Sequence, residues 1–257
     1  MVNTEYDKSE KFRLLDEVGF RDYFKAETWE EFNCQFFDGL APKYDRLNEI
    51  LSLGQHQRIK RTAIRHLRIQ PGAKLLDVCT GSGDTAIMMA RAYPDTHVIG
   101  VDVSEKMLEI ARERANGIKN VEFRVANAMR LPFEDVSFDR VLISFGLRNL
   151  EDLRAGLLEM KRVTRSGGFV SNLDLGRPPA GFLTWVHQVY FRKFIPWLGK
   201  TFFHRGEFNS FGYLPNSGKY FPSQAGLVGI FQELGFSSVC RYDFMLGAIS
   251  QQVGKVI

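Results

Sequence analysis

From Lys74 onward the chain alternates short apolar runs with amphipathic ones, and this alternation constrains the fold more than any other feature of the sequence. A strand, a helix and a second strand running the same way need a crossover. Repeating that unit therefore dictates a largely parallel sheet with helices on both faces. The pattern predicts strands over 74–79, 97–103, 121–125, 140–145 and 169–175. It predicts helices over 85–93, stopped by Pro94, over 105–116 behind the N-cap Ser104, and over 151–163, ended before Gly167-Gly168. Two further strands, 239–245 and 248–253, are separated by Leu246-Gly247 and read as an antiparallel hairpin. The expected fold is α/β: a doubly wound, mainly parallel, seven-stranded Rossmann-like sheet with a C-terminal antiparallel hairpin.

A length of 257 residues suits one such domain with an appendage. Residues 1–40 are charged and aromatic, with Phe12, Leu15, Phe20, Phe24, Trp29 and Phe32 among the apolar positions. They are expected to form a flanking helical extension, with 41–257 as the main domain. A pair of helical segments broken near Gly54 is expected over 47–67. The 34 basic residues are interspersed with 30 acidic ones, which argues against a nucleic-acid partner. Cys34, Cys79 and Cys240 are odd in number and widely spaced, so neither a disulfide framework nor a zinc site is expected. The chain has no apolar run of about 18 residues, and its first 20 residues have no apolar signal core. The expected location is the cytoplasm.

The segment Leu75–Ala86, LLDVCTGSGDTA, lies where the first strand turns into a helix. Gly81 and Gly83 let the backbone turn tightly and approach a ligand. Asp102 follows Gly81 by 21 residues, at the end of the second strand, where a carboxylate can accept both hydroxyls of a ribose. Gly81, Gly83 and Ala86 nearly fit a dinucleotide fingerprint. Asp77 and Asp84 would face its pyrophosphate, however, and at ~4 Å and an effective dielectric of ~20 each close like-charge contact costs roughly 4 kcal/mol before screening. S-adenosylmethionine carries a sulfonium and an ammonium instead, and suits the acids. The third strand leads to Asn127, able to bond a purine edge, and to Ala128, small enough to leave room for the ring. Ser144 ends the fourth strand, beside the expected sulfonium.

Tyr44-Asp45-Arg46-Leu47-Asn48, Leu51-Ser52-Leu53-Gly54 with His56, Leu131-Pro132-Phe133 and above all Ile143–Asn149, ISFGLRN, resemble the quinone C-methyltransferases of menaquinone and ubiquinone biosynthesis. The resemblance runs from Asp38 to the C-terminus. It departs at Ile59, where the family carries tryptophan, at Arg165-Ser166, and at Asp174-Leu175-Gly176, where the family carries glutamate-phenylalanine-serine. What it implies is a Rossmann-like methyltransferase that transfers a methyl group from S-adenosylmethionine to a ring carbon of a prenylated quinol. Demethylmenaquinol is the preferred acceptor and the ubiquinone-pathway benzoquinol the alternative. A related methyltransferase acting on another lipid or small molecule is the rival. By the same resemblance Ser82 and Asp102 contact the cofactor, Asn127 and Ala128 lie along its adenine, and Tyr44, Arg148 and Asn149 face the acceptor ring. Arg148 is a poor base, since its guanidinium stays charged, and is expected to stabilise a phenolate; a salt bridge to Glu151 or Asp152 is the competing role. His56 is the alternative base. Phe182, Trp185, Val186, Val189 and Tyr190 repeat at helical spacing and read either as a helix core or, with Arg192 and Lys193, as a wall for the prenyl tail and a transient contact with the membrane surface. A homodimer or a quinone-biosynthesis complex are the candidate assemblies.

Overall fold

A computed structural model of the protein describes residues 26–41, 49, 54–178 and 221–257. Its core is a seven-stranded sheet in the order β3-β2-β1-β4-β5-β7-β6. The strands are β1 (Lys74–Val78), β2 (His97–Asp102), β3 (Val121–Val125), β4 (Phe138–Ser144), β5 (Thr164–Leu175), β6 (Ser237–Phe244) and β7 (Ile249–Lys255). β1 to β5 pair in parallel, and β7 enters antiparallel between β5 and β6. The described helices are α1 (Trp29–Leu40), α2 (His56–His66), α3 (Asp84–Ala92), α4 (Glu105–Arg114), α5 (Leu153–Val163) and α6 (Gln224–Glu233), with 3-10 turns over Leu147–Asn149 and Met245–Gly247.

The sheet is covered on both faces, which is why its central strands read as continuous apolar runs. Leu75 packs with Ile64 of α2, Met89 of α3 and Leu108 of α4, while Leu76 packs with Leu157 of α5 and Phe231 of α6. Each such fully buried side chain stabilises the fold by about 1.5–3 kcal/mol relative to exposure. The two directions of winding separate between β1 and β4, and a parallel sheet opens a crevice at the carboxyl ends of its strands at such a point.

The hairpin of β6 and β7 and the strand–helix alternation agree with the expectation from sequence. Two details differ. β5 starts at Thr164, immediately after α5, because Thr164 pairs with Phe138 before the register slips to Arg140 and Phe169. Gly167, at φ +78°, sits in that irregularity and not beyond it. α6 goes beyond the expectation, since Gly226 and Gly229 dilute a helical pattern that its N-cap Ser223 and buried Leu227, Ile230 and Phe231 nonetheless secure. Tyr44 and the aromatic segment 182–203 lie outside the described residues.

Candidate active site

A cleft of about 690 Å³, open to solvent, lies over the carboxyl ends of the central strands and under α1. β1 delivers the glycine-rich turn to its floor. Thr80 donates its backbone N–H to the Val101 carbonyl at 2.9 Å and its hydroxyl to Asp77 at 2.6 Å, which pins the turn to β1 and β2. Gly83 caps α3 at φ +79°, and a Cβ there would lie 2.8 Å from Ala111 Cβ and 2.9 Å from the Phe123 ring. Only glycine allows that helix to approach so closely.

Asp102 ends β2 and borders the cleft. Its carboxylate accepts the backbone N–H groups of Gly81 at 2.9 Å and Ser104 at 3.0 Å. Burial raises its pKa above the usual carboxylate range, while those same N–H groups pull it down. A carboxylate oxygen accepts more than one hydrogen bond, so both oxygens keep capacity for ribose hydroxyls. Asn127 and Ala128 form the neighbouring wall beyond β3. The Asn127 carbonyl oxygen accepts from Met129 N at 2.8 Å, and its amide nitrogen donates to Glu30 at 2.8 Å. One amide hydrogen remains for a purine edge.

Asp77 and Asp84 do not border this cleft, and the charge argument drawn from them needs correction. Burial pushes the Asp77 carboxyl up to about 7, against the pull of Thr80 and Lys60. Asp84 is buried too, but Lys60 and Arg114 outweigh that cost and hold its carboxyl down to about 2. Lys60 Nζ lies 2.9 Å from one Asp84 oxygen and Arg114 3.0 Å from the other, with Gln57 at 3.1 Å. Two cations from α2 and α4 thus neutralise the acid that opens α3. The acids beside the cleft are Asp102, Glu30 and Glu151. Arg114 also donates to Ser82 Oγ at 2.8 Å and to the Ser82 carbonyl at 3.0 Å, so the Ser82 hydroxyl is turned toward α4. His56 is buried behind the turn, its Nδ1 3.5 Å from Glu49 and its Nε2 4.0 Å from Asp84.

β4 contributes Ser144 and a strained corner. Phe145 takes φ +58° and Cys79, at the end of neighbouring β1, φ +54°. Non-glycine residues held in the left-handed region cost on the order of 1–3 kcal/mol and collect at functional sites. The Phe145 carbonyl accepts from Arg148 Nη1 at 2.7 Å and from Asn149 Nδ2 at 3.3 Å. Gly146 must lack a side chain, since its Cβ would stand 2.6 Å from that of Cys79. Arg148 forms the ion pair foreseen for it, but with Asp174 at the end of β5, at 2.5 Å. Asp152 instead caps α5, accepting from Arg154 N and Ala155 N. Arg148 does not border the cleft; Asn149 and Ser144 do.

α1 lies in the helical extension expected over 1–40, but its side chains on the cleft were not among the expected site residues. Its N-terminus carries a capping box between Thr28 and Glu31. Trp29, Glu30, Asn33 and Phe37 border the cleft. Trp29 Nε1 and Asn33 Nδ2 donate to the Asn149 carbonyl at 2.6 and 2.8 Å, and Ser104 Oγ meets Asp38 at 2.5 Å. A polar Asn33 within the stripe of Trp29 and Phe37 is the sequence signal that marks this face as more than core. Cys79, Met107 and Gly146 complete the apolar lining.

The residues at the cleft have capacity for the adenosyl part of an S-adenosyl group: a carboxylate at the β2 end for ribose hydroxyls, and an amide beside a small residue at the β3 end for a purine edge. Comparison with known proteins agrees. A family model described as the ubiE/COQ5 methyltransferase family matches residues 26–255. The demethylmenaquinone methyltransferase of Listeria monocytogenes serotype 4a (strain HCC23) is 39% identical over 232 residues, covering 89% of this chain and 97% of the relative. That of Staphylococcus aureus (strain JH9) is 37% identical over 219 residues, covering 85% and 90%. Among solved structures, a SAM-dependent methyltransferase from Aquifex aeolicus superposes with a TM-score of 0.58 at 18% identity over 82% of this chain and 98% of its own. A phosphoethanolamine N-methyltransferase 2 from Haemonchus contortus, in complex with S-adenosyl-L-methionine, gives 0.57 at 16% over 77% and 52%. These two share the fold.

Proposed function

The chain belongs to the ubiE/COQ5 methyltransferase family, and from that premise we propose that it methylates a ring carbon of demethylmenaquinol, with S-adenosylmethionine as methyl donor. The observation that carries this reading is the identity of 37–39% with demethylmenaquinone methyltransferases along nearly their whole length. Bound S-adenosylmethionine supplies a methyl group on a positively charged sulfur, open to in-line attack by an electron-rich carbon.

The residues divide the work as follows in this proposal. Asp102 accepts the ribose hydroxyls, Asn127 and Ala128 receive the adenine, and Ser144 stands beside the sulfonium. Gly81 and Gly83 bring the backbone close, while Asp77, Ser82 and Asp84 shape the turn from behind. A quinol whose hydroxyl has lost its proton carries negative charge onto the adjacent ring carbon. The Arg148 guanidinium, fixed by Asp174 beneath the Phe145 corner, favours that charge. Asn149 holds the same corner, and Tyr44 faces the ring. His56, packed against Asp84, steadies the turn, and the methylated ring carbon gives up its proton to water in the solvent-open cleft, which restores the aromatic ring. Holding two reactants in near-attack geometry is worth about 7–11 kcal/mol.

Among the described residues no helix is long and apolar enough to cross a membrane. A prenylated acceptor resides in a bilayer, so the proposal includes a transient approach of the 182–203 segment to the cytoplasmic membrane surface. The test is methyl transfer from labelled S-adenosylmethionine to short-tailed demethylmenaquinone, with a benzoquinone analogue in parallel, each with and without dithionite. The naphthoquinol should gain one methyl group only when reduced. Equal transfer to the oxidised quinone would sink the phenolate chemistry, and preference for the benzoquinol would move the acceptor to the ubiquinone series.

A further inference from the structure

The cleft face of α1 carries Trp29, Asn33 and Phe37 one turn apart, and the middle residue is polar although only 8% exposed. The orientation of its amide is fixed by its partner. The Asn149 carbonyl can only accept, and it lies 2.8 Å from one end of the amide, so that end is Nδ2 and the other Oδ1. Oδ1 is buried and has no hydrogen-bond partner among the described residues. The Ser144 hydroxyl, bordering the same cleft from β4, is in the same condition. Buried polar atoms are nearly always satisfied, and an orphaned acceptor on the wall of a cleft is satisfied by a donor on what binds there.

Two donors are available in principle, the ammonium of the cofactor and a hydroxyl of the acceptor ring. The geometry favours the ring. α1 crosses the cleft with Glu30, Cys34 and Asp38 toward the ends of β2 and β3, where Asn127, Val103 and Ser104 hold them and Asp102 awaits the ribose. Asn33 is on the opposite side, against the turn that follows β4. We propose that Asn33 Oδ1 accepts a hydrogen bond from one hydroxyl of the quinol and so turns the ring to present its one open carbon to the methyl donor. This inference rests on the methyl transfer proposed above.

The test is a coupling measurement between one side chain and one ligand hydroxyl. The full-length protein, bound to S-adenosylmethionine's demethylated product, is titrated with a short-tailed naphthoquinol and its two mono-deoxy analogues. The wild type should bind the quinol about tenfold more tightly than one of the two deoxy compounds. In Asn33→Leu, which removes the acceptor at similar volume, the ratio should fall to about one while cofactor affinity stays within about twofold. Trp29→Phe deletes the other donor to the Asn149 carbonyl and loosens α1, yet should keep the tenfold preference. Should Asn33→Leu not fold, Asn33→Ala reads out the same ratio. An unchanged ratio in the Asn33 variants, an equal collapse in Trp29→Phe, or a loss confined to cofactor affinity would each overturn the assignment. A wild type that methylates no quinol would overturn the proposed function and this inference with it. A wild type that methylates quinol but shows no hydroxyl preference would overturn the role of Asn33 alone.

Discussion

Asp102 accepts hydrogen bonds from Gly81 and Ser104, so one carboxylate holds the glycine turn and, in the proposed function, offers its remaining lone pairs to the ribose. Asp102→Ala should therefore weaken S-adenosylmethionine binding on the order of 10²-fold, since two hydrogen bonds to a charged group are lost, while leaving a folded protein. Isothermal calorimetry measures it, and an unchanged affinity would refute the placement of the cofactor. Arg148 has a structural and a chemical role that one substitution cannot separate. Arg148→Ala leaves Asp174, which is fully buried, without its counter-charge, and should cost about 3–5 kcal/mol of stability. Replacing the pair together, Arg148→Met with Asp174→Leu, should restore most of the melting temperature. If the guanidinium favours the phenolate, turnover should stay depressed by about 10²–10³ in that double variant. Recovery of turnover along with stability would reduce Arg148 to a support for the Phe145 corner.

At the scale of elements, α1 is tied to the loops after β2, β3 and β4 by polar contacts, and it roofs the cleft those loops form. A helix attached in this way can open without unfolding the sheet. Its capping box is the place to loosen it. Thr28→Ala should cost α1 about 0.5–2 kcal/mol. Hydrogen exchange should then accelerate over 29–40 while the sheet amides stay protected, and S-adenosylmethionine should bind up to about tenfold more weakly. Uniform exchange across α1 and β1 would show instead that α1 belongs to the global unfolding unit. Strands β1 to β4 are legible in the sequence within two residues: β1, β2 and β4 because two covered faces demand apolar runs, and the edge strand β3, VEFRV, because it alternates. α6 is not, because its helical pattern carries two glycines and its stability comes from Phe231 and Leu227 packing beneath the sheet.

For the whole molecule, the two acids of the turn set opposite trends of stability with pH. Asp84, held down to about 2, contributes stability that is present above its unfolded value of ~3.9 and lost as pH falls toward 2. Asp77, pushed up to about 7, binds its proton more tightly folded than unfolded, so stability falls as pH rises from ~3.9 to about 7. Asp77→Asn should remove the second trend. Its melting temperature should match the wild type near pH ~4 and exceed it near pH ~8, as differential scanning calorimetry would record. An Asp77→Asn protein no more stable than wild type at the higher pH would mean that the buried carboxylate is compensated when charged. The sequence by itself determined the parallel sheet, the glycine turn and the carboxylate that ends β2, because periodicity, backbone sterics and a fixed offset along the chain are local properties. Only the tertiary structure decided which charges survive beside the cleft. Asp84 is neutralised by Lys60 and Arg114, 24 and 30 residues away, Arg148 is claimed by Asp174, 26 residues on, and Asn33 meets a carbonyl 116 residues distant. Ion pairs and hydrogen bonds depend on a separation of a few ångströms through space, which distance along the chain does not encode.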